Sequence, residues 1–156
     1  MLYRQKQSIN REVTQMGIEI LYQDFLRNKQ MIDRLLLYNK AIRNCQQRPI
    51  SINVIMAEKL IQIHPKRRSM KLEQCFKEVL AGLPDGVVIC DYDVMFNPDY
   101  KVDVLNILTN ARRHKEYSAV WPGVEKNGKL IYSEEDYPDY KTYEIENYDV
   151  ICVMNG

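Results

Sequence analysis

The stretch VVICDYDVMFN, Val87–Asn97, decides the fold. Val87, Val88, Ile89 and Cys90 form an apolar run with no polar alternation, the pattern of a strand buried on both faces in the middle of a parallel sheet. Asp91 then stands at the carboxyl edge of that strand. Open α/β sheets bind their ligands at this edge, and a carboxylate there is placed to hold Mg²⁺ beside a bound nucleotide. The plainer role for the same aspartate is to end the strand and begin a turn. Upstream, Pro84, Asp85 and Gly86 turn the chain into the strand. Downstream, Asn97-Pro98 reads as the N-cap and first-turn proline of a helix that carries Val102, Leu105, Ile107 and Leu108 up to Arg112 and Arg113.

Moving outward toward the N-terminus, Leu72, Cys75, Phe76, Val79 and Leu80 fall at i, i+3, i+4, i+7 and i+8, which predicts an amphipathic helix closed by Gly82. Residues Ile50–Ile55, ISINVI, alternate apolar and polar and predict a strand, followed by a short helix over Ala57–Ile63 that stops at His64-Pro65. Met31, Leu35, Tyr38, Ile42 and Cys45, widened by Ile32 and Leu36, step by four and three and predict a helix from Lys29 that ends before Pro49. Ile18–Tyr22 predicts a strand set off by Gly17, and Ser8–Gln15 a short first helix. Toward the C-terminus, Tyr117–Trp121 reads as a strand stopped by Pro122-Gly123. The Asn127-Gly128 turn signal returns Lys129–Tyr132 as the second arm of a hairpin. A tyrosine-rich acidic segment, Ser133–Tyr143, precedes a last strand at Asp149–Met154. Strands alternating with helices imply right-handed parallel βαβ units. The expectation is one domain over residues 1–156, a three-layer α/β fold with a parallel sheet and a C-terminal β-hairpin extension.

Composition narrows the classes of function. The 156 residues suffice for one domain with a sizeable core. With 22 basic and 21 acidic residues the net charge is +1, so nothing global favours a nucleic-acid or membrane surface. Cys45, Cys75, Cys90 and Cys152 include no C-x-x-C pair and read as reduced core thiols. No stretch has the length of a membrane span, and the polar start MLYRQKQSINRE has no signal-peptide core, so a cytoplasmic protein without a membrane partner is expected.

If the strand ending in Asp91 is the magnesium-binding strand of a P-loop domain, a G-x-x-x-x-G-K-[ST] loop is required to cradle the phosphates, and the sequence contains none. Between the IEILY strand and the helix expected from Lys29 lies QDFLRNKQ, Gln23–Gln30. Laid on the motif, Lys29 takes the lysine position, Gln30 the hydroxyl position, and Gln23 and Asn28 the two glycine positions. Side chains at the glycine positions crowd the approach of phosphate, and Asp24 adds repulsive charge.

Three further stretches carry a resemblance: INVIMAEKLIQIHPKRRSMKLEQ, then VVICDYDVMFNPDYKVDVLNIL, then YSAVWPGVEKNGKLIYSEEDYPDYKTY. The chain resembles, from about Ile50 to Ile151, the small P-loop proteins called BrxF that are encoded in BREX-type bacteriophage-defence islands. W-P-G, the following L-x-Y and the P-x-Y-x-x-Y spacing serve no general need of a fold. The resemblance implies a P-loop NTPase-like domain that takes ATP and Mg²⁺, with Asp91 as the Walker B aspartate and Lys29 as the Walker A lysine. This sequence departs from the family by lacking the glycine-rich G-K-[ST] loop, and Tyr92 stands where hydrolysing ATPases often carry a glutamate.

Other residues are candidates for chemistry. Asp93, two residues past Asp91, shares its side in a regular strand and is a candidate second metal ligand. Arg112 and Arg113 are candidate trans arginine fingers, against the simpler role of complementing a helix C-terminus. Lys66, Arg67, Arg68 and Lys71 form the one dense basic cluster, a candidate contact for DNA or RNA phosphates or else a solvated loop. Trp121, Tyr132, Tyr137, Tyr140 and Tyr143 suit base stacking, a partner interface or a satellite core. His64 and His114 read as surface residues. The functional expectation is an accessory subunit of a BREX-like defence system with a degenerate nucleotide site, acting through self-association or other defence proteins. One alternative is an active or weakly binding ATPase using Lys29 and Asp91; the other is a nucleic-acid-binding accessory factor.

Overall fold

The computed structural model describes residues 17–27, 33–42 and 47–155. The helix expected at Ser8–Gln15 lies outside them, as do Asn28, Lys29, Gln30 and Cys45. Six strands form one parallel sheet in the order β1-β9-β2-β5-β4-β3. They are β1 (Ile18–Leu21), β2 (Leu35–Asn39), β3 (Ile50–Ser51), β4 (Val87–Cys90), β5 (Tyr117–Trp121) and β9 (Val150–Met154). A second, antiparallel sheet consists of β6 (Val124–Lys126), β7 (Lys129–Tyr132) and β8 (Lys141–Glu144). The expected hairpin is therefore present, turning at Asn127 and Gly128, both at positive φ (53° and 75°), and β8 adds a third strand to it.

Side chains alternate across the large sheet and divide the interior in two. Leu35, Leu37, Val87, Ile89, Ala119, Val150 and Cys152 point to one face, where they meet α2 (Asn53–Ile61), α3 (Arg68–Ala81), α4 (Val104–Arg112) and the small sheet. Leu36, Tyr38, Val88, Ile151 and Val153 point to the other, where Phe25 of α1 (Tyr22–Arg27) joins them. The crossovers traced by the described residues share one hand, as the right-handed rule requires. The connection from β1 moves one way along the sheet through α1, whereas those from β3 and β4 move the opposite way through α2, α3 and α4 on the opposite face.

The α/β class with a parallel sheet flanked by helices matches expectation, as do β1, β4, β5 and the Leu72–Leu80 face of α3. Three elements differ. Leu35–Asn39 is a strand in the middle of the sheet, not a turn of helix, because it pairs in register with β5 at one edge and β9 at the other while its side chains are buried on both faces. The ISINVI strand stops after Ser51, since Asn53 already opens α2 and its Oδ1 accepts the Val94 amide at 3.0 Å. Asn97-Pro98 forms a turn, with Asn97 Oδ1 accepting from Asp99 at 2.9 Å, and the helix waits for Asp103, whose Oδ1 caps the Asn106 amide at 2.9 Å. Among the described residues no helix is long and apolar enough to cross a membrane.

Candidate functional site at the carboxyl edge of the sheet

In an open parallel sheet the ligand crevice forms where neighbouring strands send their connections in opposite directions. Here that point lies between β2, whose chain leaves toward β3, and β5, whose chain leaves toward β9. The carboxyl ends of β2, β5 and β4 bring Asn39, Trp121 and Asp91 to this edge. A phosphate loop at this switch point would follow β2. The sequence pattern instead predicts it after β1. β1 is an edge strand, and Gln23–Arg27 is part of α1 rather than a loop.

At the end of β2 the chain closes on itself. Asn39 Oδ1 accepts the Ala41 amide at 2.8 Å, and the Ile42 amide donates to the Asn39 carbonyl at 3.0 Å. A phosphate cradle needs backbone amides in a row, pointing outward and unpartnered. Here the Ala41 and Ile42 amides are turned inward, Ile42 is buried against Tyr38 and Val88, and the glycines that would open the loop are absent. Lys40 is exposed beside this turn.

At the end of β4 the acid remains in the open. Asp91 is exposed and holds φ at 49°, a left-handed conformation that Asp and Asn tolerate better than most residues. Its Oδ2 lies 3.6 Å from the Cys90 thiol, which burial first and this carboxylate second push up to about 11. The next residue anchors the turn. Tyr92 is wholly buried, and its hydroxyl donates to the Val120 carbonyl on β5 at 2.9 Å. A 3-10 turn, Asp93–Phe96, follows. The strand thus ends at Cys90, so the in-strand alternation that placed Asp91 and Asp93 on one side does not apply. Asp93 Oδ2 accepts the Tyr132 hydroxyl at 2.9 Å. Among the described residues no group of three or more His, Cys, Asp or Glu is arranged to hold a metal ion.

The aromatic residues form a buried link between the two sheets. Phe96 stacks on Tyr132 with ring centroids 3.7 Å apart and meets Trp121 edge-on at 5.8 Å. Trp121 Nε1–H donates to the Ile131 carbonyl at 3.2 Å, and its ring meets Tyr143 at 5.8 Å. Tyr143 meets Tyr148, whose hydroxyl donates to Asp103 Oδ2 at 2.6 Å. Burial raises the Tyr132 and Tyr148 phenols, and their aspartate acceptors raise them further. Trp121, Tyr132 and Tyr143 belong to the main core and not to a satellite, while Tyr137 is exposed.

The remaining candidates separate. Arg112 ends α4 and Arg113 follows it, at the amino end of β5, the edge of the sheet opposite Asp91. Arg112 lines a hollow of about 230 Å³ there with Arg34 over a floor of Leu36, Tyr38 and Val88. The basic cluster is divided by its own helices. Arg68 Nε donates to the Leu60 and Ile63 carbonyls at 2.9 and 3.0 Å, satisfying the C-terminal end of α2, whereas Lys66 and Arg67 are exposed. His64 Nδ1 accepts the Lys66 amide at 3.2 Å. No protein-family model, curated protein or solved structure matches the chain.

Proposed function

We propose that the chain is a P-loop-like domain that has lost its phosphate cradle and serves as an accessory subunit of a BREX-like phage-defence system, acting by assembly with itself or with other defence proteins. The observation that carries this reading is the closed turn after β2. The connection at the sheet's switch point spends its first amides on Asn39, while Asp91 stays exposed two strands away. Among the described residues a magnesium-type aspartate faces no phosphate cradle, which supports ancestry from a nucleotide-binding fold and argues against turnover of nucleotide. The defence role rests on the resemblance over about Ile50–Ile151, in whose W-P-G and L-x-Y motifs Trp121 and Tyr132 also serve the core and Gly123 gives room to the Ile131 carbonyl.

A nucleic-acid role draws less support, because Arg68 is committed to capping α2 and three of the aromatic residues are buried. Sedimentation velocity tests the assembly role, using the full chain alone and then mixed with each protein encoded beside its gene. A faster-sedimenting species in either setting is expected. A strict monomer in every mixture contradicts the reading.

A further inference from the structure

Glu125 lies at the centre of β6, between exposed Val124 and Lys126, with both carboxylate oxygens shut off from solvent and without a hydrogen-bond partner. Its side chain faces the large sheet, where Glu19 of β1 and Cys152 of β9 stand side by side in register and both act on it or feel it electrostatically. On its own sheet it pairs with Leu130 of β7, which brings no charge. Lys129 is already paired with Glu144 at 3.4 Å. The titratable groups that meet Glu125 are thus a second carboxylate, Glu19, and the Cys152 thiol, which burial raises and so keeps protonated.

A carboxylate shut off from water, without a partner and within the field of a second carboxylate, must take up a proton or leave. Burial first and the Glu19 charge second push the Glu125 carboxyl up to about 7, from an ordinary 4.5. We propose that Glu125 is a proton-controlled latch between the two sheets: protonated, it lets β6 lie against β1 and β9; ionised, it turns out to water and releases that edge of the small sheet. The rest of the small sheet stays pinned, by Trp121 on the Ile131 carbonyl and by Tyr132 on Phe96 and Asp93, which confines opening to β6 and the Asn127-Gly128 tip. Release uncovers the Cys152 side of the β1–β9 edge.

The direction follows from proton binding. The closed form holds a proton that the open form gives up between pH 4.5 and 7, so closure is strongest at the acid end. It weakens by about tenfold per pH unit toward neutrality and is level above pH 7. Hydrogen–deuterium exchange on the full chain from about pH 5 to pH 8, with rates corrected for intrinsic chemical exchange, tests this. Opening of the Val124–Lys126 amides is expected to rise steeply up to about pH 7 and then flatten. Glu125→Gln and Glu125→Met, which cannot ionise, are each expected to abolish the slope. Glu19→Gln, at an exposed position, is expected to move the flattening point to lower pH. A flat wild-type profile overturns the latch, as does the same slope in the Gln or Met variant.

Discussion

The ends of β2 and β4 lie on the same edge of one parallel sheet with β5 between them, and they are built by opposite means. The end of β4 is held from a distance. Tyr92 reaches β5, Val94 reaches the start of α2, and Asp93 and Phe96 reach the small sheet, leaving Asp91 exposed on a rigid support. The end of β2 is held locally, by one asparagine that folds the chain back over two residues. A nucleotide site needs the reverse at β2, an open loop whose amides have no partner until phosphate arrives. The difference is one of support: two amides after β2 close on Asn39, whereas the acid after β4 stays exposed on anchors that come from other elements.

That contrast is open to direct attack. The largest expected effect comes from the support of β4: Tyr92→Ala removes a wholly buried ring and its bond to Val120, and chemical denaturation should register a loss of about 3–5 kcal/mol. A loss below about 1 kcal/mol, the cost of an ordinary surface change, contradicts the long-range anchoring of this turn. A smaller effect is expected at Asp91 itself. Asp91→Ala should cost about 1 kcal/mol because alanine pays for the left-handed backbone, while Asp91→Asn should stay near wild type. Equal stability of the two variants removes the conformational reason for an aspartate at this position and sharpens the chemical one.

Much of this architecture was legible in the residues. Val87–Cys90 announces a central strand because it is apolar on both faces, and Asn127-Gly128 announces its hairpin because the turn needs two residues at positive φ. β2 was misread for the same physical reason that β4 was read correctly. Leu35, Leu36, Leu37 and Tyr38 are also buried on both faces, but leucine favours helices, and Met31, Ile42 and Cys45 happen to complete a helical stripe. With β2 a strand, the switch point of the sheet lies after Asn39 and not at Gln23–Arg27, which periodicity alone does not reveal. The truncation of β3 depends on Asn53 meeting Val94, forty-one residues away, and the isolation of Glu125 depends on β1 and β9. Long-range placements of this kind leave no local pattern.

The most direct test of the central claim is titration calorimetry of the full chain with ATP and Mg²⁺. The closed turn after β2 leads to the expectation of no saturable heat at millimolar nucleotide. A micromolar Kd that is lost in Lys40→Ala or Lys29→Ala, and weakened in Asp91→Ala, contradicts it and restores the chain to the working nucleotide-binding proteins.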